Sequence, residues 1–202
     1  ISTEVRDQMG SNLIENAVMP IDFVAEQKYL TDLSSELSLL ASNGTSSTKD
    51  GGATLVGELG TDLVVFDFAG DELLNLHMLD LDLASIDVDT TILFNISGTT
   101  AGLTGMNITG FDNLASNVLY NFYEAQTLAL QVDVKGSILA PLADVTSPNG
   151  VIHGTIIADS WSGNMQQNHN PFTPYVSVPE PATAFLFALG LMGLVNIRKR
   201  NK

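Results

Sequence analysis

The spacing of apolar residues changes near residue 45, and the change divides the chain into two patterns. Before it, Phe23, Leu30, Leu33, Leu37 and Leu40 recur at steps of seven, three, four and three, with Glu26, Lys28, Asp32 and Glu36 elsewhere. That spacing puts one narrow apolar stripe on a helix. It predicts a long packed helix over about 20–42. Pro20 opens it, because its missing N–H and fixed φ suit a first turn, and Asn43 and Gly44 close it by tolerating a left-handed cap. Residues 1–13 are polar and give no clear period. Thr45 to Gly52, rich in serine, threonine and glycine, predicts a loop.

Beyond that loop the pattern shortens. Leu63–Phe68, Leu79–Leu83, Thr91–Ile96, Val118–Phe122, Leu128–Val134, Ser137–Ala140 and Val151–Ala158 are brief apolar or alternating runs separated by glycine or asparagine. Many short strands with close turns predict an all-β sandwich, barrel or solenoid. One detail favours the solenoid. Gly136-Ser137-Ile138-Leu139-Ala140 and Gly154-Thr155-Ile156-Ile157-Ala158 are near copies 18 residues apart, with Asn149-Gly150 as a turn between them. A period near 20 suits one coil of stacked strands.

The tail is different again. Two prolines, Pro179 and Pro181, precede Ala182 to Val195, fourteen residues without a charge, and Asn196 and Ile197 lead into Arg198, Lys199, Arg200 and Lys202. Fourteen residues make about 21 Å of helix, against about 30 Å of bilayer hydrocarbon. Including Asn196 and Ile197, with snorkelling bases, narrows the gap and predicts a transmembrane helix over 182–197. The basic cluster marks its cytoplasmic end, which places the body outside.

Composition sharpens this division. The whole chain carries −15, yet residues 1–177 hold −18 and the last 25 residues hold +3. A body so acidic is repelled by phosphate backbones, which excludes nucleic acid as a partner. Apolar residues make up 45% of the chain, too many for an acidic disordered segment. Zero cysteines exclude disulfides, thiolate zinc sites and cysteine nucleophiles together. The first residue is Ile1, and no signal peptide precedes the body, so a processed or truncated N-terminus is expected.

Two resemblances now become specific. Val178-Pro179-Glu180-Pro181, a short apolar run and a basic end, in that order, resemble a PEP-CTERM sorting signal. The resemblance implies export by a Gram-negative, exopolysaccharide-producing bacterium and processing by an exosortase-like membrane enzyme near the Pro-Glu-Pro triplet. In the body, Tyr120-Asn121-Phe122-Tyr123-Glu124-Ala125, the two glycine-led copies, Asn168-His169-Asn170-Pro171-Phe172, the Ile21–Glu26 start of the helix and Asn95-Ile96-Ser97-Gly98 resemble the choice-of-anchor A family. That family implies a mainly β, irregular right-handed, ice-binding-like β-solenoid with one long helix (about 20–42) packed alongside, here joined to a C-terminal transmembrane helix. It implies an adhesive role and further β-rich sequence before the helix. The expected domains are 1–175, incomplete at its N-terminus, and 176–202.

Candidate chemistry is sparse. Asp80/Asp82 and Asp87/Asp89 would place paired carboxylates on one strand face, where Ca²⁺ could bind with loop oxygens; a solvated acidic face is the simpler reading. Otherwise no cofactor is expected. His77, His153 and His169 lack metal spacing, and Glu124 suits a turn better than catalysis. Gly136-Ser137 sits in a strand pattern rather than on a nucleophile elbow. Trp161 and Tyr123 could stack on a sugar ring, although single aromatics more often pack. Thr99-Thr100 and Thr45 to Thr48 form no regular threonine ladder in the sequence.

The expected protein is therefore a non-enzymatic adhesive or binding module. It is exported, held in the inner membrane by its C-terminal helix before processing, and displayed at the cell surface or in the extracellular matrix. Its expected partners are the exosortase-like enzyme, the membrane, and exopolysaccharide or a neighbouring cell surface. A secreted polysaccharide-acting β-helix enzyme and a simple C-terminally membrane-anchored surface protein are the alternatives.

Overall fold

Asp22 starts the first helix: its side chain accepts hydrogen bonds from the amides of Val24 and Ala25, each at 3.1 Å. The computed structural model describes residues 21–147, 149–174 and 176. Helix α1 covers Phe23–Leu37, shorter than the expected 20–42. Pro20 lies outside the described residues. At the other end Asn43 and Gly44 do not cap the helix. Both amides donate to the Val65 carbonyl, while the Asn43 side chain donates to Leu63 and accepts from the Val65 amide at 2.7 Å. They clip the edge of the first coil strand instead.

The predicted loop at Thr45 to Gly52 is a hairpin. Strand β1 (Thr45–Lys49) pairs antiparallel with β2 (Gly52–Val56) across a two-residue turn, Asp50 at φ 49° and Gly51 at φ 78°. Two positive φ values define the tight hairpin turn that Asp-Gly favours. Its polarity resembled that of a loop because every β1 side chain is exposed.

From β2 onward strands stack in parallel along three faces. Face one holds β2, β4 (Met78–Leu81) and β7 (Asn107–Thr109), and in a separate sheet β10 (Val134–Lys135), β12 (Val151–His153) and β14 (Gln166–Asn168). Face two holds β3 (Leu63–Ala69), β5 (Thr91–Ser97), β8 (Val118–Phe122) and the first parts of β11 (Ser137–Ser147) and β13 (Ile156–Gly163). Face three holds β6 (Thr100–Leu103), β9 (Thr127–Leu130) and the second parts of β11 and β13, with helix α2 (Gly70–Asn75) packed on β6. Strand β11 turns between faces at Pro141–Ala143, where the register with β13 shifts. A proline, lacking an N–H for the ladder, suits such a bulge.

Register explains the sequence pattern. Phe66 lies opposite Phe94, Phe94 opposite Tyr120, Tyr120 opposite Ile138, and Ile138 opposite Ile156. The two near copies pair with each other at their offset of 18, Ala140 facing Ala158. Gly154 is required there: a Cβ on it would sit 2.1 Å from the Gly136 carbonyl oxygen. Inward side chains form one core, in which Phe66, Phe94 and Tyr120 stack at centroid distances of 5.4 and 4.8 Å. Outward side chains Val65, Leu93, Leu119 and Leu139 form a second core beneath Leu30, Leu33 and Leu37 of α1.

Alongside the second core, on the same outer face, lies a buried polar clamp. Asn121 donates to the Ser34 carbonyl and to Asn95 Oδ1, both at 2.9 Å, and accepts from the Ser34 hydroxyl; Asn95 donates to the Leu37 carbonyl at 2.9 Å. Asn95 and Asn121 are opposite each other in the β5–β8 ladder. The outer face of the sheet therefore holds the helix backbone as well as its leucines.

The expected fold class needs correction. The described chain is mainly β with two α-helices, of 15 and 6 residues. Among the described residues no helix is long and apolar enough to cross a membrane. Helix α1, about 22 Å long, carries Glu26, Lys28, Asp32 and Glu36, so it is amphipathic rather than apolar all round. The expected transmembrane segment 182–197 lies outside the described residues.

Two substitutions test the cores by urea denaturation. Asn121→Ala strands the buried Ser34 hydroxyl and Asn95 Oδ1, and is expected to destabilise by about 2–4 kcal/mol. Tyr120 is the opposite case, since its buried hydroxyl has no hydrogen-bond partner. Tyr120→Phe is expected to be neutral or to stabilise by about 1 kcal/mol. Burial raises the Tyr120 pKa above its ordinary value of 10.0. The unfolded chain therefore releases that proton first, and stability should fall as pH rises beyond about 10. Tyr120→Phe should remove that part of the alkaline loss.

Candidate functional surface

The predicted carboxylate pairs do not assemble. Asp80 lies on β4 and accepts from the Thr109 hydroxyl across the ladder. Asp82 has left the strand: its side chain accepts from the Ala84 amide at 3.0 Å and caps a single 3-10 turn over Leu83–Ser85. Asp87 accepts from the Gly60 amide at 2.7 Å, and Asp89 lies in the loop before β5. A shared strand face is thus corrected to four separate positions, because the alternation breaks at Asp82. Among the described residues no group of three or more histidine, aspartate or glutamate side chains could hold a metal ion.

The histidines are equally dispersed. His77 is exposed beside Gly51, His153 on β12 meets the Asn168 side chain at 3.4 Å, and His169 is exposed after β14. Ser137 donates no nucleophile geometry; its hydroxyl oxygen accepts from the Thr155 amide at 3.0 Å between stacked coils. The sorting motif Val178–Pro181 and the bases Arg198, Lys199, Arg200 and Lys202 lie outside the described residues.

Two surface features do converge. The first is a corner where β5 and β8 end. Glu124 accepts from the Gly98 amide at 2.8 Å and so holds the turn into β6, with Gly98 at φ 97°. Tyr123 lies beside it. Burial, with the Glu124 and Asp67 charges, raises its pKa against a lowering hydrogen bond from Ser97. Burial also raises the Asp67 carboxyl. This corner offers acceptors and one phenol.

The second is the outer side of face three. Thr100 faces Thr127, Thr127 faces Asp144 and Asp144 faces Ser160, four exposed polar side chains in one row. The Thr127 hydroxyl lies 3.2 Å from that of Thr100, and Ser160 donates to Asp144. Exposed Thr146 and Ser162 continue a second row two residues along. Neighbouring strands are about 4.8 Å apart, so the rows repeat hydroxyl or carboxylate groups at about that interval. Sequence reading found Thr100 but missed Thr127, Asp144 and Ser160. Their only signal is a register in which successive coils differ in length.

Trp161 does not join these rows. It lies opposite Val145 on the core-facing side, and its indole N–H donates to the Gly163 carbonyl at 3.2 Å. Tyr123, the other aromatic that could stack on a sugar ring, lies in the corner after β8.

The described residues form a parallel stack that keeps apolar side chains inside and presents polar rows outside. The chain belongs to the family described as "Putative Ice-binding-like adhesive domain", whose model matches residues 2–169. Residues 177–200 match the PEP-CTERM protein-sorting motif. Comparison with curated proteins and with solved structures gives no match. The motif makes this an exported surface protein processed by an exosortase-type membrane enzyme.

The dispersed carboxylates give a direct expectation. The thermal unfolding midpoint should be the same with added Ca²⁺ and with a chelator. A clear rise with Ca²⁺ would show that Asp80, Asp82, Asp87 or Asp89 takes part in a cation site.

Proposed function

We propose that the protein is an adhesive module that binds polysaccharide on the outer side of face three, through Thr100, Thr127, Asp144, Thr146, Ser160 and Ser162. The observation that supports this reading is their in-register exposure on one sheet face, where repeated hydroxyls can meet repeated sugar hydroxyls. A net charge of −18 over residues 1–177 favours neutral glycans over uronate-rich ones. Family membership supports binding rather than turnover. The double substitution Thr100→Ala/Thr127→Ala should weaken retention on a neutral exopolysaccharide column about tenfold while leaving the melting midpoint unchanged. Release of sugar product from any glycan would overturn the binding-only reading.

Sorting belongs to the same proposal. Residues 1–175 form the displayed part and 176–202 the sorting segment, with Val178, Pro179, Glu180 and Pro181 as the processing motif. Arg198, Lys199, Arg200 and Lys202 serve as the orientation signal during export. Proline disfavours helix at and just before its own position, which suits the extended form in which a protease-like enzyme takes a substrate. Replacing Pro179, Glu180 and Pro181 by alanine should leave the C-terminal segment on the exported protein, read by intact mass. A variant processed like wild type would overturn the assignment.

A further inference from the structure

Face one has a step in the middle of the stack, with described coils on both sides. Between β6 and β8 the chain takes residues 104–117, whereas the next coil passes from β9 to β11 through 131–136 alone. The Gln131 amide still donates to the Leu103 carbonyl at 2.9 Å, and pairing resumes only where Ser137 meets Leu119. Among the described residues β7 therefore pairs only with β4, and β10 only with β12. The same two coils pair directly on faces two and three, at the usual strand spacing of about 4.8 Å. No layer is missing along the stack, so an added strand has no place between β7 and β10. The longer coil instead overhangs the shorter one sideways.

A groove of about 620 Å³ lies in this step, within the range of small-molecule sites, about 300–1,000 Å³. Exposed Asn107 and Asp112 line its β7 bank; exposed Gln131 and Asp133 and half-buried Lys135 line its β10 bank. One end is unobstructed, because Gly105, at φ 63°, has open space where a side chain would stand. At the other end Lys135 meets Asp112 at 3.3 Å and joins the banks. That pair engages the one base among the lining residues, and among the described residues Asp133 has no base beside it. The lining selects its ligand. Side-chain amides and carboxylates in a solvated groove donate to and accept from sugar hydroxyls. The uncompensated Asp133 charge attracts an ammonium group and repels uronate or phosphate.

We propose that the step between β7 and β10 binds short stretches of a polysaccharide that carries free amines. Asp133 accepts from the sugar ammonium, and Asn107 and Gln131 bond the neighbouring hydroxyls. The site is separate from the rows of face three and does not depend on them. Titrating the full chain with a glucosamine trisaccharide should shift the backbone amide NMR signals of residues 105–109 and 131–135. Asp133→Asn should weaken that binding roughly tenfold with the melting midpoint unchanged, and the fully N-acetylated trisaccharide should bind the unaltered chain roughly tenfold more weakly. Glu58→Gln removes the same charge from an exposed loop outside the groove and should leave binding unchanged, as should Thr100→Ala/Thr127→Ala. An equal loss in Glu58→Gln would overturn the proposal in favour of general attraction to an acidic body. A loss in the threonine variant would overturn it by moving the ligand to face three. Absent shifts, unchanged binding by Asp133→Asn, or equal binding of the acetylated sugar would overturn it outright.

Discussion

Everything outside the coil stack depends on how one helix is held to one sheet face. Leucines alone would hold α1 loosely, because a narrow apolar stripe can slide along a flat apolar face. The contacts of Asn121 with Ser34 and of Asn95 with Leu37 remove that freedom. Each fixes a backbone carbonyl of the helix to a particular strand, and the two amides also bond to each other. A buried polar group costs energy unless it is satisfied, so only one placement of the helix is tolerated. This makes the two asparagines determinants of register rather than of function.

The same constraint explains what could and could not be seen in the sequence. Helix and strands were legible because their periodicities are local: Leu30, Leu33 and Leu37 declare a face, and Ile138 and Ile156 declare a repeat. The pairing of Ile138 with Ile156 followed from two copies a coil apart. The row from Thr100 through Thr127 and Asp144 to Ser160 did not follow, since the coils shorten along the stack and no fixed period links its members. Helix ends failed for a related reason. Asn43 and Gly44 have the chemistry of a cap, yet a strand edge offers their donors an equally good carbonyl in Val65. The Asp-Gly turn at Asp50-Gly51 was a hairpin signal hidden by the polarity of β1. Asp82 failed as a strand residue because it caps a turn.

Charge and architecture also fit together. Strand edges and flat polar faces invite association, and a strongly negative body limits that association to partners that tolerate it. Lys135, which bridges to Asp112 at 3.3 Å, and Lys28, paired with Asp32, are among the few bases on the described body, and both are engaged by carboxylates. Its surface therefore has little with which to attract acidic polymers.

The exit of the described chain beside β8 has a mechanical consequence. Thr173 is bonded to Ser116, and Phe172 and Val176 pack on the outer core beneath α1. Tension on the C-terminal side would first load that lateral seam rather than peel the last coil from the end of the stack. Peeling breaks ladder hydrogen bonds one at a time, whereas a lateral load is shared among many contacts at once. A load entering at the side thus spares the polar rows of face three until the helix seam has yielded.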